Sequence, residues 1–368
     1  SKHVLRCLMS RDHLNHNEHL RGFTTTQEPT QRRPKPVAWY RSKIEPPTLK
    51  ALHRRSDLLG GLQTLGYLAV ITTTGALAAF SAYHWPVWVT ILLVFAHGTV
   101  FAFNINAVHE LGHGTVFQTR KFNDIFAAFF AFLGWINHYK FDASHTQHHR
   151  FTLHPPDDLE VKLPIRLVVK DWLLAGFIDF QLIWFKCKEV IRESRGIYRG
   201  EWEEHLFPES NPTARQKPTR WGRIILCGHA AIIVVSALNG WWMIPVVTTF
   251  APFYGAWLFF LCNSTQHIGM QDHTDDFRLC CRTFTTHPVI QFLYWHMNFH
   301  IEHHMYAAVP CYRLSRLHQT IKTDLPTCPH GLLATWREIA AIQAEQEKDP
   351  NYQYAPKIPA TPAAPSSP

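Results

Sequence analysis

Eight histidines fall into three short motifs. His109-Glu110-Leu111-Gly112-His113 spaces two imidazoles at i and i+4, on one face of a helix. His145-Thr146-Gln147-His148-His149 and His300-Ile301-Glu302-His303-His304 each space three at i, i+3 and i+4, again on one side. Imidazole suits Fe, Zn, Cu or Ni, and eight of them exceed what a single ion accepts, so the pattern points to two metal ions. HELGH alone also reads as the H-E-x-x-H of a zinc metalloprotease, with Glu110 as general base. Three features oppose that reading. Val116 and Thr119 occupy the neighbourhood where the longer protease motif needs a third histidine, the chain contains no Asp-Gly, and a one-zinc protease has no use for two further clusters.

Motifs so far apart in sequence share a site only if other elements bring them to one compartment. Residues 58–80 and 86–108 are free of charged side chains, and as helices of this length each reaches roughly 34 Å, enough for a hydrocarbon core of about 30 Å. Only Ser81-Ala82-Tyr83-His84-Trp85 separates them, so they form a hairpin. A second apolar pair, 224–240 and 243–262, turns at Asn239, Gly240, Trp241 and Trp242. Trp85 with Trp88, and Trp241 with Trp242, suit an interfacial aromatic belt. None of the 36 Lys and Arg lies in residues 56–119 or 224–277, which a soluble helical core does not explain. The expected fold is therefore an all-α integral membrane protein. It has four transmembrane helices in two hairpins and a cytosolic helical cap, residues 109–223 and 263–335, holding a di-metal centre.

Around this membrane unit, residues 56–335, lie a cytosolic tail (1–55) and a C-terminal helix with a low-complexity end (336–368). Residues 25–50, rich in Pro, Arg and Thr, promise little regular structure. Residues 122–137 are apolar but short for a span and read as a helix resting at the interface, as do residues 165–187. His97, His229 and His84, inside or at the lips of the spans, read as histidines hydrogen-bonded within the bundle or at the interface.

The net charge of +8 sits on segments flanking the spans, without interleaved aromatics on a polar face. It points away from nucleic acid and towards positive-inside topology, with attraction to anionic membrane lipid or an acidic redox partner. The eight cysteines form no CxxC pair, and the adjacent Cys280 and Cys281 would make a strained disulfide, so reduced thiols facing the cytosol are expected. The first residues show no cleavable signal pattern. Both termini are expected in the cytosol, with the endoplasmic reticulum as the membrane; a bacterial inner membrane gives the same topology.

HELGH, HTQHH and HIEHH spaced around two hairpins resemble the membrane fatty acid desaturase and hydroxylase superfamily over about residues 55–335. The resemblance implies a non-haem di-iron centre, its Fe2+/Fe3+ ions using O2 as co-substrate and two electrons on an unactivated C–H bond. It carries the ligand role to His109, His113, His145, His148, His149, His300, His303 and His304. In acyl-CoA desaturases an Asn-x-x-x-His after the last span supplies a further ligand. Asn263-Ser-Thr-Gln-His267 matches it, implying His267 as a ligand and Asn263 as one acting through water. The first motif departs from the stearoyl type, with three residues between its histidines where that group has four. The stretch around HIEHHMYAAVP looks closer to acyl-lipid and bacterial-type members. Candidates to orient the ligands are Glu110, Asp142, His273, Asp275, Asp276, His296 and Glu302. A solvated surface role is as reasonable for Asp157, Asp158 and Glu160.

The function this implies is desaturation of an acyl chain of a fatty acid or lipid, presented as acyl-lipid or acyl-CoA. The alternative is a hydroxylase or other oxygenase of the same di-iron type, acting on an alkane, terpenoid or polyketide-like chain. A membrane zinc protease is the remote alternative, alongside a metal carrier. The sequence has no haem-binding His-Pro-Gly-Gly, no iron–sulfur cysteine pattern and no GxGxxG, so electrons are expected from an external donor, cytochrome b5 with its reductase or a ferredoxin.

Overall fold

The computed structural model describes residues 35–165 and 176–359. Those residues are helical, with two isolated bridges and no strand. Residues 25–34 of the irregular tail, residues 166–175 and residues 360–368 lie outside the description. Within the tail, residues 35–45 are extended and a short helix, α1 (Pro46–Leu52), follows.

Helix α2 (Asp57–His84) starts where the Ser56 hydroxyl accepts from the Leu59 amide, and Trp85-Pro86 ends it. Helix α3 (Val87–Phe101) returns alongside. It continues, after an interruption at Ala102-Phe103, as α4 (Asn104–Gly112). The face α2 buries combines small residues that allow close approach (Gly60, Thr64, Gly75, Ala78, Ser81) with the larger Gln63, Tyr67 and Ile71, while Leu58, Leu62, Ile91 and Leu92 point outwards. Further along come α5 (Arg120–Leu133), α6 (His138–Phe151), α7 (Phe180–Ser194), α8 (Glu201–Leu206) and α9 (Pro212–Leu238). Among the described residues three stretches are long and apolar enough to cross a membrane: α2, α3 with α4, and α9.

The expected fourth span, 243–262, is not one helix. It breaks into α10 (Met243–Val247), a 3-10 turn (Ala251–Phe253) and α11 (Trp257–Asn263). Pro245 and Pro252 donate no amide hydrogen, and Gly255 takes a left-handed φ of +71°. A Cβ on Gly255 would fall 2.7 Å from the Phe95 carbonyl oxygen, so this backbone lies directly on α3. Carbonyls freed at membrane depth must find donors inside the protein. Tyr254 Oη donates to Val246 O, His97 Nε2 to Val247 O and Trp135 Nε1 to Thr249 O, each at 2.9 Å. His229 Nε2 donates to Phe132 O at 2.9 Å, so its Nδ1 is free to accept from the Thr249 hydroxyl at 3.1 Å. His97 therefore caps the broken backbone, while His229 caps the end of α5 and holds the Thr249 side chain.

Trp85, Trp88, Trp241 and Trp242 are all exposed at the turns. Helix α5 exposes Phe122, Ile125 and Phe129, and the region of α7 exposes Phe177, Phe180 and Trp184, the outward faces an interfacial helix needs. The remaining helices are α12 (Phe277–Cys280), α13 (Pro288–Leu293), α14 (His300–Met305), α15 (Leu314–Ile321) and α16 (Gly331–Lys348). They pack with α4 and α6 around one large buried core that includes Phe103, Leu111, Phe277, Tyr294, Trp295 and Met305.

Candidate metal centre

Three helices and one turn carry the histidines. His109 lies in the last turn of α4 and His113 caps its end. Helix α6, capped by Asn137, carries His145, His148 and His149; α14 carries His300, His303 and His304. His267 sits in the turn after α11. Together they form two groups: His109, His113, His145, His149 and His303, and then His148, His267, His300 and His304. Within each group the nearest nitrogens all lie within 4.8 Å of one another. The HxxHH spacing explains the division. On α6, His145 and His149 face one group while His148 faces the other; on α14, His303 joins the first, while His300 and His304 join the second.

The nitrogens meet at ligand separations. His149 Nε2 lies 2.9 Å from His145 Nε2 and 3.1 Å from His303 Nε2, and His300 Nε2 lies 2.9 Å from His267 Nε2. Adjacent ligands on one ion with bonds of about 2.1 Å sit about 3 Å apart. Four rings are oriented through Nδ1: His148 to Asp158 Oδ2 (2.8 Å), His145 to Glu160 Oε1 (3.0 Å), His109 to Glu110 Oε1 (2.9 Å) and His267 to the Cys280 carbonyl (2.8 Å). Each of these partners accepts, so Nδ1 carries the proton and Nε2 offers its lone pair to the interior. The Nε2 atoms of His113 and His304 are buried with no hydrogen-bond partner, and those of His145, His149, His303, His267 and His300 meet only one another. Orphaned acceptors crowded in this way are costly unless a cation joins them, and the set fits two imidazole-bound metal ions.

Electrostatics favours neutral ligands. Burial pushes His113 down to about 4 and His267 to about 3, and holds His145, His149, His300, His303 and His304 well below the usual imidazole range. His148 differs: burial lowers it, but the Asp158 carboxylate and then Glu160 carry it above that range. Carboxylates that raise affinity for a proton raise it equally for a metal cation at Nε2.

The residues expected to orient the ligands divide sharply. Glu110 does so, bonded to His109 and 3.4 Å from His303 Nδ1. Glu302 instead bonds His318 Nδ1 and the Thr283 hydroxyl, because α14 turns its side chain away from the histidine groups. Asp142 bonds no histidine among the described residues and approaches Gly112; burial raises its carboxyl to about 6. His273 is exposed and stands edge-on to His154, and Asp275 is exposed, its carbonyl accepting from the Tyr40 amide. Asp276 pairs with Arg278 at 2.7 Å, and the His296 ring meets Gln291. Asn263 closes α11, half-buried, four residues before His267.

Sequence reasoning missed Asp158 and Glu160, which it placed equally at a solvated surface. Asp158 is fully buried and accepts from the Leu153 and Glu160 amides as well as from His148. A turn of Pro155 and Pro156 folds it back beneath α6, and nothing in residue spacing announced that return. A strap at residues 39–42 also went unforeseen. Trp39 stacks on Phe277 at 4.0 Å and donates to the Arg150 carbonyl, while Ser42 touches Met305 Sδ at 3.5 Å. It thereby braces the chain beside two of the three motifs.

Three long apolar stretches mark a membrane protein, and α4, α6, α14 and the turn after α11 gather nine histidines into two groups that could each hold a metal ion. The fatty acid desaturase family model matches residues 83–336, and the chain belongs to that family. No curated protein matches the chain.

Proposed function

We propose that this protein is a membrane-bound di-iron oxidoreductase that uses O2 and two electrons to desaturate an acyl chain of a fatty acid or lipid. The observation that carries the reading is the convergence of two neighbouring imidazole groups, of five and four histidines, both of which draw on α6 and α14. The first group would hold one iron and the second the other, with Asn263 acting through water. Bound there, the irons would supply O2 activation and the power to cleave an unactivated C–H bond.

The chain's own residues do the rest. Asp158, Glu160, Glu110 and the Cys280 carbonyl fix four ring orientations, and burial keeps most of the imidazoles unprotonated. Phe277, 5.4 Å from His304, and Trp39 stacked upon it cover one side of the centre against bulk water. Electrons would come from an external carrier of cytochrome b5 or ferredoxin type, in an endoplasmic reticulum setting. Glu110 is held against His109 and His303 in a dry site, which leaves it poorly placed as the water-activating base of a zinc protease.

Mass spectrometry of lipids from cells expressing the protein tests the reaction. Acyl chains that have lost two hydrogens support desaturation. Chains that have gained one oxygen make it the hydroxylase alternative, and unchanged lipids under aerobic expression with a reductase system overturn both.

A further inference from the structure

Three chain segments converge where α2 begins. The Ser56 amide donates to Tyr312 Oη at 2.9 Å, Tyr312 Oη donates to the Val116 carbonyl at 3.2 Å, and Arg313 Nε donates to the Arg54 carbonyl at 2.8 Å. The Thr119 hydroxyl and amide both donate to the Asp57 carboxylate, at 2.7 and 2.8 Å. These contacts bring Arg54, Arg55, Arg120, Lys121, Arg313 and Arg316 to one collar. All but Arg313, which is half-buried, are exposed, and none forms an ion pair with a described residue. The acid at the junction, Asp57, is occupied by Thr119.

Directly beyond the cations the surface turns apolar. On α2, Leu58 and Leu62 are 74% and 63% exposed; on α5, Phe122 and Ile125 are 42% and 60% exposed. A ring of unpaired cations immediately above lipid-facing side chains matches the level of phosphate headgroups over acyl chains. A docked protein would cover the cations but leave the apolar row without a partner, whereas a phospholipid answers both.

We propose that this collar is a binding site for an anionic phospholipid, its headgroup held by Arg54, Arg55, Arg120, Lys121 and Arg316 and its chains lying along α2 and α5. The site is separate from the histidines and does not depend on the reaction assigned to them. It ties together the entrances to α2, to α5 and to the 3-10 turn (Cys311–Arg313) preceding α15, so the occupant would brace the loop that leads from the first motif into α5.

The full chain, purified in a neutral detergent, is titrated with phosphatidylglycerol or phosphatidylcholine and bound lipid is counted by native mass spectrometry. The wild type should retain phosphatidylglycerol over phosphatidylcholine. Each cation removed should weaken that retention about fivefold, so Arg55→Gln/Arg120→Gln/Arg316→Gln should lose roughly a hundredfold. Phosphatidylcholine adducts should stay unchanged, as should a control triple of distant exposed cations, Lys35→Gln/Arg337→Gln/Lys357→Gln. If the collar triple does not fold, Arg55→Gln and Arg316→Gln singly should each show the fivefold loss. Equal retention of the two lipids by the wild type overturns the proposal, as does a collar variant that binds phosphatidylglycerol like the wild type. Displacement of the lipid by millimolar glycerol phosphate also overturns it, since the site would then read a free phosphate.

Discussion

Asp158→Asn isolates the contribution of a carboxylate beneath the histidines. In the native protein Oδ2 accepts from His148 Nδ1 (2.8 Å) and the Leu153 amide (2.9 Å), and Oδ1 accepts from the Glu160 amide (2.9 Å). An asparagine has one accepting oxygen. In its better orientation that oxygen keeps His148 and Leu153, and the new amide hydrogens face the Glu160 N–H, donor against donor. The other orientation loses two partners. At minimum, then, one hydrogen bond to a charged acceptor disappears in a fully buried site, a cost of about 1.5–3 kcal/mol. The His148 imidazole also loses the negative charge that makes it basic, and changes of this kind weaken metal binding about 10- to 100-fold. The assay is the rate at which a ferrous chelator strips iron from the detergent-solubilised protein, with a thermal melt recorded in parallel. Asp157→Asn, one residue away and with a side chain that bonds no histidine ring among the described residues, is the control and should behave like the wild type. Wild-type iron retention in Asp158→Asn would refute the reasoning that this carboxylate tunes the centre.

Other perturbations read other parts of the account. His149→Ala removes the ring that lies within 3.1 Å of both His145 and His303 in the first group and should leave an inserted protein with reduced iron and no turnover; full iron content by elemental analysis would contradict its place among the ligands. His229→Phe keeps the stack on Phe132 and Trp135 but leaves the Thr249 hydroxyl and the Phe132 carbonyl without their partner, which should cost about 1–3 kcal/mol and lower the melting temperature without changing iron content. Lys140 lies among Glu189, Glu193 and Glu203 and joins α6 to α7 and α8, so Lys140→Met should destabilise by about 3–5 kcal/mol, measured by denaturant unfolding. Burial raises the Glu203 carboxyl, but Lys140 and then Arg192 hold it down at about 2. Its folded value lies below the unfolded one, so its stabilisation is complete above the ordinary carboxylate range near pH 4.5 and fades as pH falls towards 2. A melting curve flat across that window would count against the network.

How far the sequence revealed the protein depends on which physical signal each part leaves. Three spans were legible because charge is expelled from lipid, and the histidine motifs because ligands on one helix must recur at i, i+3 and i+4. Both signals are local. Residues 243–262 are not the single helix expected, because hydropathy reports composition, not continuity: Pro245, Pro252 and Gly255 break the helix while leaving the segment apolar. Their cost is met in part by His97 and Trp135, donors remote in sequence. Asp158 and Glu302 fail in the same way. One read equally well as a surface acid and lies beneath His148; the other adjoins a motif histidine and turns to His318. Which carboxylate meets which imidazole is decided by how α6, α14 and α15 pack, and residue spacing does not carry that.

The central claim is that two irons lie between these nine histidines. Elemental analysis of protein expressed with ample iron and purified without chelators addresses it directly. The account predicts two iron atoms per chain, reduced towards zero in a His149→Ala/His148→Ala variant that still inserts. Stoichiometric zinc in place of iron, or fewer than one iron per intact chain, would contradict it.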